Sequence, residues 1–272
     1  GMATNAIANR QYPAAMQHLE TLLAQKIGNT DIKARAQFWY GECLYRNGKY
    51  ADARSYFDKY LKTTTSRMQA EYNLAYYNTA YTYFSEKQYT ASNQWFRQYV
   101  AMEKENMFLL LDAYNRIGDA YFQQRDFTHA LQAYNNSIEK GGTSVGADYA
   151  MYQTAFVYGL QGKYNDKIAS LNNLLQKFPK SNWADDAYYE IGRSQVSLNQ
   201  NKEAMKTFEG ICSKYPKNSD VVRKSRAQLA MLQYNEGMID QSIATHKLII
   251  AQYPNSEEAA ISFTTLESMM VD

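Results

Sequence analysis

The sequence predicts an all-α chain of stacked helix–turn–helix units. Three of its four prolines, Pro179, Pro216 and Pro254, stand 37 and 38 residues apart, and each follows an aromatic residue. Between them, apolar residues recur three and four positions apart, which is the period of one face of a helix. The 13 glycines and 4 prolines are too few for the many turns of a sheet protein of 272 residues. A period of this length is typical of a helical repeat array.

One residue marks the start of the predicted second helix in every unit, at steps of 37–39 residues. These markers are Tyr12, Tyr50, Tyr89, Phe127, Tyr164, Asn201 and Ile239. A mostly small residue follows each marker by three positions, a large residue follows it by seven, and glycine or alanine precedes most markers by nine. Because small residues let two helix backbones approach closely, the pattern predicts a tight hairpin between the two helices of a unit.

Residues that favour turns stand two positions before the marker in four units: Gly48, Gly162, Asn199 and Gly237. Glycine and asparagine readily adopt the left-handed conformation that ends a helix. Lys87 and Arg125 depart from this rule at the same position. A serine follows each repeat proline, and we expect these serines to cap the next first helix. They are Ser181, Ser219 and Ser256.

The phasing predicts one repeat domain over residues 1–272, with a half unit at each end. The predicted half repeats are 11–26 and 257–270, and full repeats lie near 34–72, 73–110, 111–147, 148–184, 185–222 and 223–256. The first half repeat is predicted to be a lone second helix, because the stretch before it is small and polar. Half units indicate a fragment of a longer array, and a complete protein with atypical caps is the alternative. The segment 139–146 is the one glycine-rich joint, but the phase continues across it.

These residues resemble the tetratricopeptide repeat (TPR) family, whose unit carries aromatic, Leu-Gly, Tyr, Ala, Phe and Pro positions in that order. One copy consists of Tyr114, Ile117, Gly118, Tyr121, Ala130 and Tyr134, and another of Tyr188, Ile191, Gly192, Ala204, Phe208 and Pro216. The resemblance implies a right-handed α-solenoid. The units of 37–39 residues are longer than the 34 of the family, and the extra residues fall between one unit and the next.

Composition and motifs argue against several functions. The net charge of +2 disfavours a nucleic-acid binder, which would carry a clear basic excess. The longest apolar run is short, so no transmembrane segment is predicted. The two cysteines and three histidines are dispersed, which disfavours a metal site. No catalytic or phosphate-binding motif occurs, so we expect no enzymatic activity and no cofactor. Asp185 and Asp186 are interpreted as acids of a helix first turn, and Arg223, Lys224 and Arg226 as a small basic surface patch.

The 25 tyrosines are the compositional feature that points to a function. Half of them or more are expected to fill helix interfaces, but tyrosine also suits recognition surfaces because its ring is apolar and its hydroxyl polar. The resemblance implies that the first helices line a concave groove. The density of aromatic residues predicts that a protein or peptide binds in this groove across the second to fourth full repeats, with Tyr81 and Tyr152 as anchors. The candidate groove residues are Phe38, Tyr45, Tyr77, Tyr81, Phe84, Phe122, Tyr149, Tyr152, Phe156, Tyr189 and Tyr234.

The kind of partner is left open by the sequence. Among TPR proteins, those that grip a peptide carboxyl terminus use a lysine at the first groove position, and this chain has none there. The later units, with KFPKSNWADDAYYEIG in one of them, resemble TPR lipoproteins and periplasmic factors of the bacterial envelope, including the coordinator of the Tol-Pal system. This implies an interaction scaffold that is periplasmic or attached to the outer membrane. A cytosolic regulatory scaffold and a glycan-handling module of an uptake system are the alternatives, and the half-repeat ends offer surfaces for self-association.

Overall fold

A computed structural model describes residues 2–26 and 28–271, and over these ranges it contains helices and no strand. The helices are α1 (Met2–Ala8), α2 (Tyr12–Ala24), α3 (Thr30–Arg46), α4 (Tyr50–Leu61), α5 (Tyr72–Ser85), α6 (Tyr89–Met102), α7 (Met107–Gln123), α8 (Phe127–Gly141), α9 (Ala147–Leu160), α10 (Tyr164–Lys177), α11 (Ala184–Ser197), α12 (Asn201–Lys214), α13 (Asp220–Asn235), α14 (Ile239–Gln252) and α15 (Glu257–Val271). A short 3-10 turn, Ser66–Met68, connects α4 to α5. The all-α repeat class predicted from the sequence is confirmed.

The chain divides into two compact units, one ending at Gly146 and the other beginning at Ala147. In the first unit, α1–α8 form four successive hairpins, and each second helix also packs on the next first helix. In the second unit, α9–α14 form three hairpins, and α15 packs on α14. The division falls at the end of the glycine-rich segment. A single solenoid domain over the whole chain therefore stays a prediction.

The second helices begin at the seven marker residues, as predicted. Three first helices begin three or four residues earlier than predicted, at Thr30, Met107 and Asp220. Two of these early starts have side-chain caps. Asn29 Oδ1 accepts hydrogen bonds from the backbone amides of Asp31 and Ile32 at 3.0 and 3.2 Å, and Asn106 Oδ1 accepts one from Leu109 at 3.1 Å. Asparagine is a favoured N-cap, so these residues extend each helix by about one turn.

The first half repeat is not a lone helix, and here the sequence-based expectation was wrong. Residues 2–8 form α1, which packs against α2 and buries Ala6 in a cluster with Ala15, Leu19 and Cys43. Met2 and Ile7 are the large apolar residues of this stretch, and two such residues do not define a periodic apolar face. Alanine nevertheless has the highest helix propensity, and its small side chain fits the close contact with α2.

The hairpins are held by a small residue on the first helix facing a large side chain on the second. A Cβ atom added at Gly118 would lie 2.4 Å from Cε1 of Tyr134, and one at Gly192 would lie 2.7 Å from Cε1 of Phe208. Gly41 faces Phe57 in the same way, at 2.8 Å. These distances are too short for any side chain larger than hydrogen. The small residues three positions after the markers are fully buried at the same contacts, as the pattern predicted: Ala15, Ala53, Ser92, Ala130, Ala204 and Ser242.

The turn inside every hairpin uses a left-handed residue two positions before the marker. Glycine or asparagine fills it in four hairpins, but Arg10, Lys87 and Arg125 also have φ values of 58° to 60°. A non-glycine residue without a favourable side-chain interaction is strained in this region. The fold therefore imposes the turn even where the residue disfavours it, because the helices on both sides are anchored by packing.

The helix ends near the repeat prolines follow the expectation only in part. α10, α12 and α14 each end two residues before a proline, which cannot continue the helix. Ser256 Oγ accepts a hydrogen bond from the Ala259 amide at 3.1 Å and caps α15. Ser219 does not cap α13, because its hydroxyl donates to the Pro216 carbonyl instead. Ser181 lies three residues before α11 and binds Asp148 and the Trp183 amide.

Replacing Lys87 by glycine is expected to stabilise the protein. The substitution removes the strain of a left-handed lysine, and it adds the smaller entropic cost of glycine in the unfolded chain. We expect the free energy of unfolding to rise by about 0.5–1 kcal/mol. Urea unfolding followed by circular dichroism measures this change. Lys49→Gly is a control, since Lys49 lies at a helix start without a positive φ. An equal increase in the free energy of unfolding for Lys49→Gly and Lys87→Gly would contradict this explanation.

Replacing Gly118 by alanine is expected to destabilise the protein by about 1–3 kcal/mol, because the new methyl group overlaps the ring of Tyr134. Gly210→Ala is the matched control. Gly210 also lies inside a helix, but a Cβ there meets no atom within 4 Å. That substitution should stabilise by about 0.5–1 kcal/mol through helix propensity. Equal effects of the two substitutions in thermal or urea unfolding would show that the close hairpin contact is unimportant.

Candidate functional site

The candidate residues lie on the first helices, fifteen, twelve, eight or five positions before the marker residue of each hairpin. We call the surface at these positions the first-helix face. In the first unit it consists of Phe38, Glu42 and Tyr45 on α3, Tyr77, Tyr81 and Phe84 on α5, and Asp112, Asn115, Asp119 and Phe122 on α7. In the second unit it consists of Tyr149, Tyr152 and Phe156 on α9, Tyr189 and Arg193 on α11, and Met231 and Tyr234 on α13. The two units carry their parts of the face separately.

Phe38 does not belong to an exposed groove, and this site prediction was wrong. Its side chain is fully buried, with its ring centroid 5.7 Å from that of Phe57 and 5.4 Å from that of Tyr60. Phe38 lies twelve residues before the marker, where the side chain points between the two helices of the hairpin. Tyr77 occupies the same position in the next repeat and packs on Phe96 and Tyr99 at 5.8 and 5.1 Å, although it stays half-buried.

Two tyrosines of α5 share one carboxylate of α7. Tyr77 donates its hydroxyl to Asp112 Oδ2 at 2.7 Å, and Tyr81 donates to the same oxygen. Burial and the nearby carboxylate raise the pKa of both phenols far above 10. The hydroxyls expected to contact a partner are therefore used inside the protein, where they bind one first helix to the next.

Arg116 extends this polar network along α7. Its guanidinium forms ion pairs with Asp112 at 3.6 Å and Asp119 at 2.7 Å. Asp119 also accepts a hydrogen bond from the buried Tyr134 hydroxyl at 2.7 Å. Tyr134 is the ring that packs on Gly118, so the hairpin contact and the face are directly connected.

A second buried carboxylate joins α3 to α5. Glu42 accepts from Arg46 Nε at 2.8 Å and from Asn78 Nδ2 at 2.7 Å. Both oxygens of this nearly buried side chain are thus satisfied, as burial of a charge requires. The acidic groups of the face in the first unit are neutralised by partners within that unit, and its rings remain as the apolar contact area.

The rings five positions before the markers close the turn end of three of the four hairpins in the first unit. Tyr45 packs on Tyr50 at 5.7 Å and Phe84 on Tyr89 at 5.5 Å. Phe122 packs on Phe127 at 5.8 Å. These three side chains are half-buried, and each one covers the marker residue of its own hairpin.

The second unit presents the most exposed members of the candidate set. Phe156 is 41% exposed and Tyr234 is 48% exposed, and Met231, beside Tyr234 on α13, is 43% exposed. Tyr149 and Tyr152 are half-buried against Trp183, with ring centroids 5.5 and 5.0 Å apart. Trp183 was not predicted as a site residue, because it stands in the link before α11 and outside the repeat pattern.

Lys167 lines a cavity of about 280 Å³ together with Phe156 and Leu160. It occupies the position where the other hairpins have alanine or serine, and its stem fits because Gly159 stands where three hairpins of the first unit have an aromatic ring. The ammonium group binds Glu190 of α11, which also pairs with Arg193 at 3.1 Å. Tyr189 packs on Phe208 at 5.8 Å and is half-buried. Lysine at a small-residue position was the signal that could have revealed this cluster.

The described ranges 2–26 and 28–271 contain neither a metal-binding cluster nor a membrane-spanning helix. No group of three His, Cys, Asp or Glu side chains there is arranged to hold a metal ion. Cys43 is buried and Cys212 half-buried, and burial raises the pKa of both thiols. None of the described helices has the length and apolar character needed to span a membrane.

Comparison with protein-family models gives the family directly. Three models described as tetratricopeptide repeat match residues 1–67, residues 111–139, and residues 149–181, 186–218 and 228–256. These matches together span more than half of the chain. The chain belongs to the tetratricopeptide repeat family. Residues 68–110 fall outside the matched ranges, and the structure shows that α5 and α6 form a TPR hairpin there as well. No curated protein matches the chain.

Solved structures share the TPR fold with this chain at low sequence identity. The C-terminal part of a TPR repeat-containing protein from Cytophaga hutchinsonii has a TM-score of 0.78 and 18% identity, over 96% of this chain and 97% of that chain. The apo form of RapI has a TM-score of 0.70 and 13% identity, over 99% and 80%. A tetratricopeptide repeat protein from Parabacteroides merdae has a TM-score of 0.57 and 14% identity, over 96% and 94%. At these identities the likeness shows the fold alone.

The half-buried tyrosines are expected to make the stability of this TPR protein sensitive to alkaline pH. Burial raises the pKa of Tyr77, Tyr81 and Tyr152 in the folded state, whereas unfolded tyrosines titrate near about pH 10. Above that pH the unfolded chain binds fewer protons than the folded chain, so the free energy of unfolding falls as the pH rises. Urea unfolding between about pH 8 and 11 measures how the free energy of unfolding depends on pH, and tyrosinate absorbance is a second probe.

The double variant Tyr77→Phe, Tyr81→Phe separates these tyrosines from other groups that titrate in the same range. It should show a smaller loss of stability between about pH 10 and 11 than the wild type. If the free energy of unfolding depended on pH as it does in the wild type, lysines or other tyrosines would be the cause of the lost stability at alkaline pH. Tyr83→Phe is a control at another half-buried tyrosine of α5.

Proposed function

We propose that this chain is a non-enzymatic scaffold that binds a protein or peptide segment along its first-helix face. The TPR fold typically mediates protein interactions. The observation that carries the proposal is the state of the face: its carboxylates in the first unit are paired internally, and its second unit exposes the rings of Phe156 and Tyr234. Binding of a partner to such a face gains free energy from the burial of apolar surface and little from attraction between charges. We therefore expect binding to depend weakly on salt.

Phe156 and Tyr234 are the best residues with which to test the proposal. Tyr81 and Tyr152, the anchors expected from the sequence, are held by Asp112 and by Trp183, so removing their rings would also disturb the packing. Phe156 and Tyr234 are more exposed, and they lie on the same face. Aromatic residues of this kind commonly supply most of the energy of an interface.

The test begins with peptides selected from a displayed random library on the wild-type chain. Fluorescence anisotropy then gives the Kd of the enriched peptide. We expect the Phe156→Ala, Tyr234→Ala double variant to bind about 10- to 100-fold more weakly, because the two rings together contribute about 1.4–2.8 kcal/mol. Phe108→Ala is the matched control, since Phe108 is 65% exposed and lies outside the face. Unchanged affinity of a folded double variant would contradict the proposal, and so would an equal loss in the control.

We also propose a location in a bacterial cell envelope. Its support is the sequence resemblance of the later units, in which Phe178, Tyr215 and Tyr253 each precede a proline between one hairpin and the next. Antibody detection after fractionation of the source cells tests it. Recovery in the periplasmic or outer-membrane fraction is the expected result, and recovery with cytosolic proteins would favour a regulatory scaffold inside the cell.

A further inference from the structure

A second cleft lies in the second unit, between α10 and α12 and above α11, on the opposite side of the hairpins from the first-helix face. Its volume is about 370 Å³. Ile168, Ile191 and Ile211 line its apolar part, and Lys206 and Lys214 stand on α12 beside it. The volume is within the usual range of ligand-binding pockets.

Gly210 leaves this cleft open, and neither the backbone nor the packing explains it. It lies in the interior of α12 with an ordinary helical φ, and a Cβ there would meet no atom within 4 Å. A glycine inside a helix costs about 1 kcal/mol relative to alanine. Lys206, Gly210 and Lys214 are spaced four residues apart, so they share one stripe of the helix with the gap between the two lysines.

The first unit has an equivalent cleft in which the gap is filled. It lies between α6 and α8 above α7, and its volume is about 180 Å³. Tyr114 and Ile117 correspond to Tyr188 and Ile191 in the repeat. Asn136 stands at the position of Gly210, nine residues after the marker. The larger cleft is therefore a departure from the repeat at one unit and not a general property of stacked hairpins.

The two lysines lack acidic partners. The ion pairs among the described residues of the second unit involve Lys167, Arg193 and Arg223, and neither Lys206 nor Lys214 takes part. The residues that line the cleft include no aspartate or glutamate. The Lys214 ammonium lies 4.1 Å from the centroid of the Tyr188 ring, which holds it beside the cleft. An apolar cleft between two cations without acidic partners is complementary to an apolar group flanked by anions.

We propose that this cleft is a second docking site, which accepts an aliphatic side chain of an acidic partner segment. Lys206 and Lys214 are eight residues apart, or about 12 Å along the helix. In an extended segment, residues four positions apart span about 13 Å. A segment of the form Glu-x-Leu-x-Glu thus places its leucine over Gly210 and a carboxylate near each lysine. This site is independent of the proposed first-helix face.

The test uses the peptide acetyl-Glu-Ser-Leu-Ser-Glu-amide, titrated to about millimolar concentration into ¹⁵N-labelled protein, because a single side chain and two exposed ion pairs give weak binding. The expected result is saturable shifts of the amide signals of Ile168, Gly210 and Ile211. Peptides with serine in place of leucine, or lysine in place of both glutamates, should produce none. Absence of shifts at the cleft with the acidic leucine peptide would overturn the proposal.

Variants of the full chain assign the binding to this cleft. Gly210→Asn introduces the residue of the equivalent position and should weaken binding by at least about tenfold. The Lys206→Gln, Lys214→Gln double variant should weaken it by about three- to tenfold and remove its salt dependence. Lys202→Gln is the control, on an exposed lysine of α12 outside the cleft. Equal binding by wild type and a folded Gly210→Asn variant would overturn the proposal. Phe156→Ala, Tyr234→Ala should bind this peptide normally, which separates the two sites.

Discussion

The contact between a small residue on the first helix and a large side chain on the second determines the hairpins on which the rest of this TPR chain depends. Gly41, Gly118 and Gly192 face Phe57, Tyr134 and Phe208 at distances that no larger residue could occupy. This contact sets the separation of the two helices. The separation then decides which side chains reach the next first helix and which are enclosed. The polar network of the first unit begins at this contact, since Tyr134 packs on Gly118 and binds Asp119.

The first helices of the first unit are joined by carboxylates rather than by hydrophobic contact alone. Asp112 receives two tyrosine hydroxyls from α5, and Glu42 receives Asn78 of the same helix. A buried carboxylate with several donors is costly to move, because any displacement leaves a charge or a hydroxyl unsatisfied. The network therefore specifies the register of neighbouring hairpins. The rings carried by the same helices are held in fixed positions, which lowers the entropy lost when a partner binds them.

The repeat pattern was sufficient to predict those positions at which packing within a hairpin allows only one class of residue. The marker positions, the buried small residues and the glycine contacts are of this kind, because each follows from sterics within a single hairpin. α1 was missed because a helix of small residues has no apolar periodicity, and Phe38 was misplaced because an aromatic residue suits a core and a surface equally well. The cluster around Trp183 depends on residues from different hairpins. Periodicity within one repeat contains no information about such contacts.

The lysine at position 167 has a consequence for the modularity of the chain. Its stem needs the space left by Gly159 in its own hairpin, and its charge needs Glu190 in the following one. A hairpin from elsewhere in the chain, inserted before α11, would bring a small residue and leave Glu190 with only Arg193 as a partner. Conversely, this hairpin moved elsewhere would bury a cation without a counterion. Exchange of a single repeat is therefore destabilising at this junction, and the two consecutive repeats that carry Lys167 and Glu190 behave as one unit.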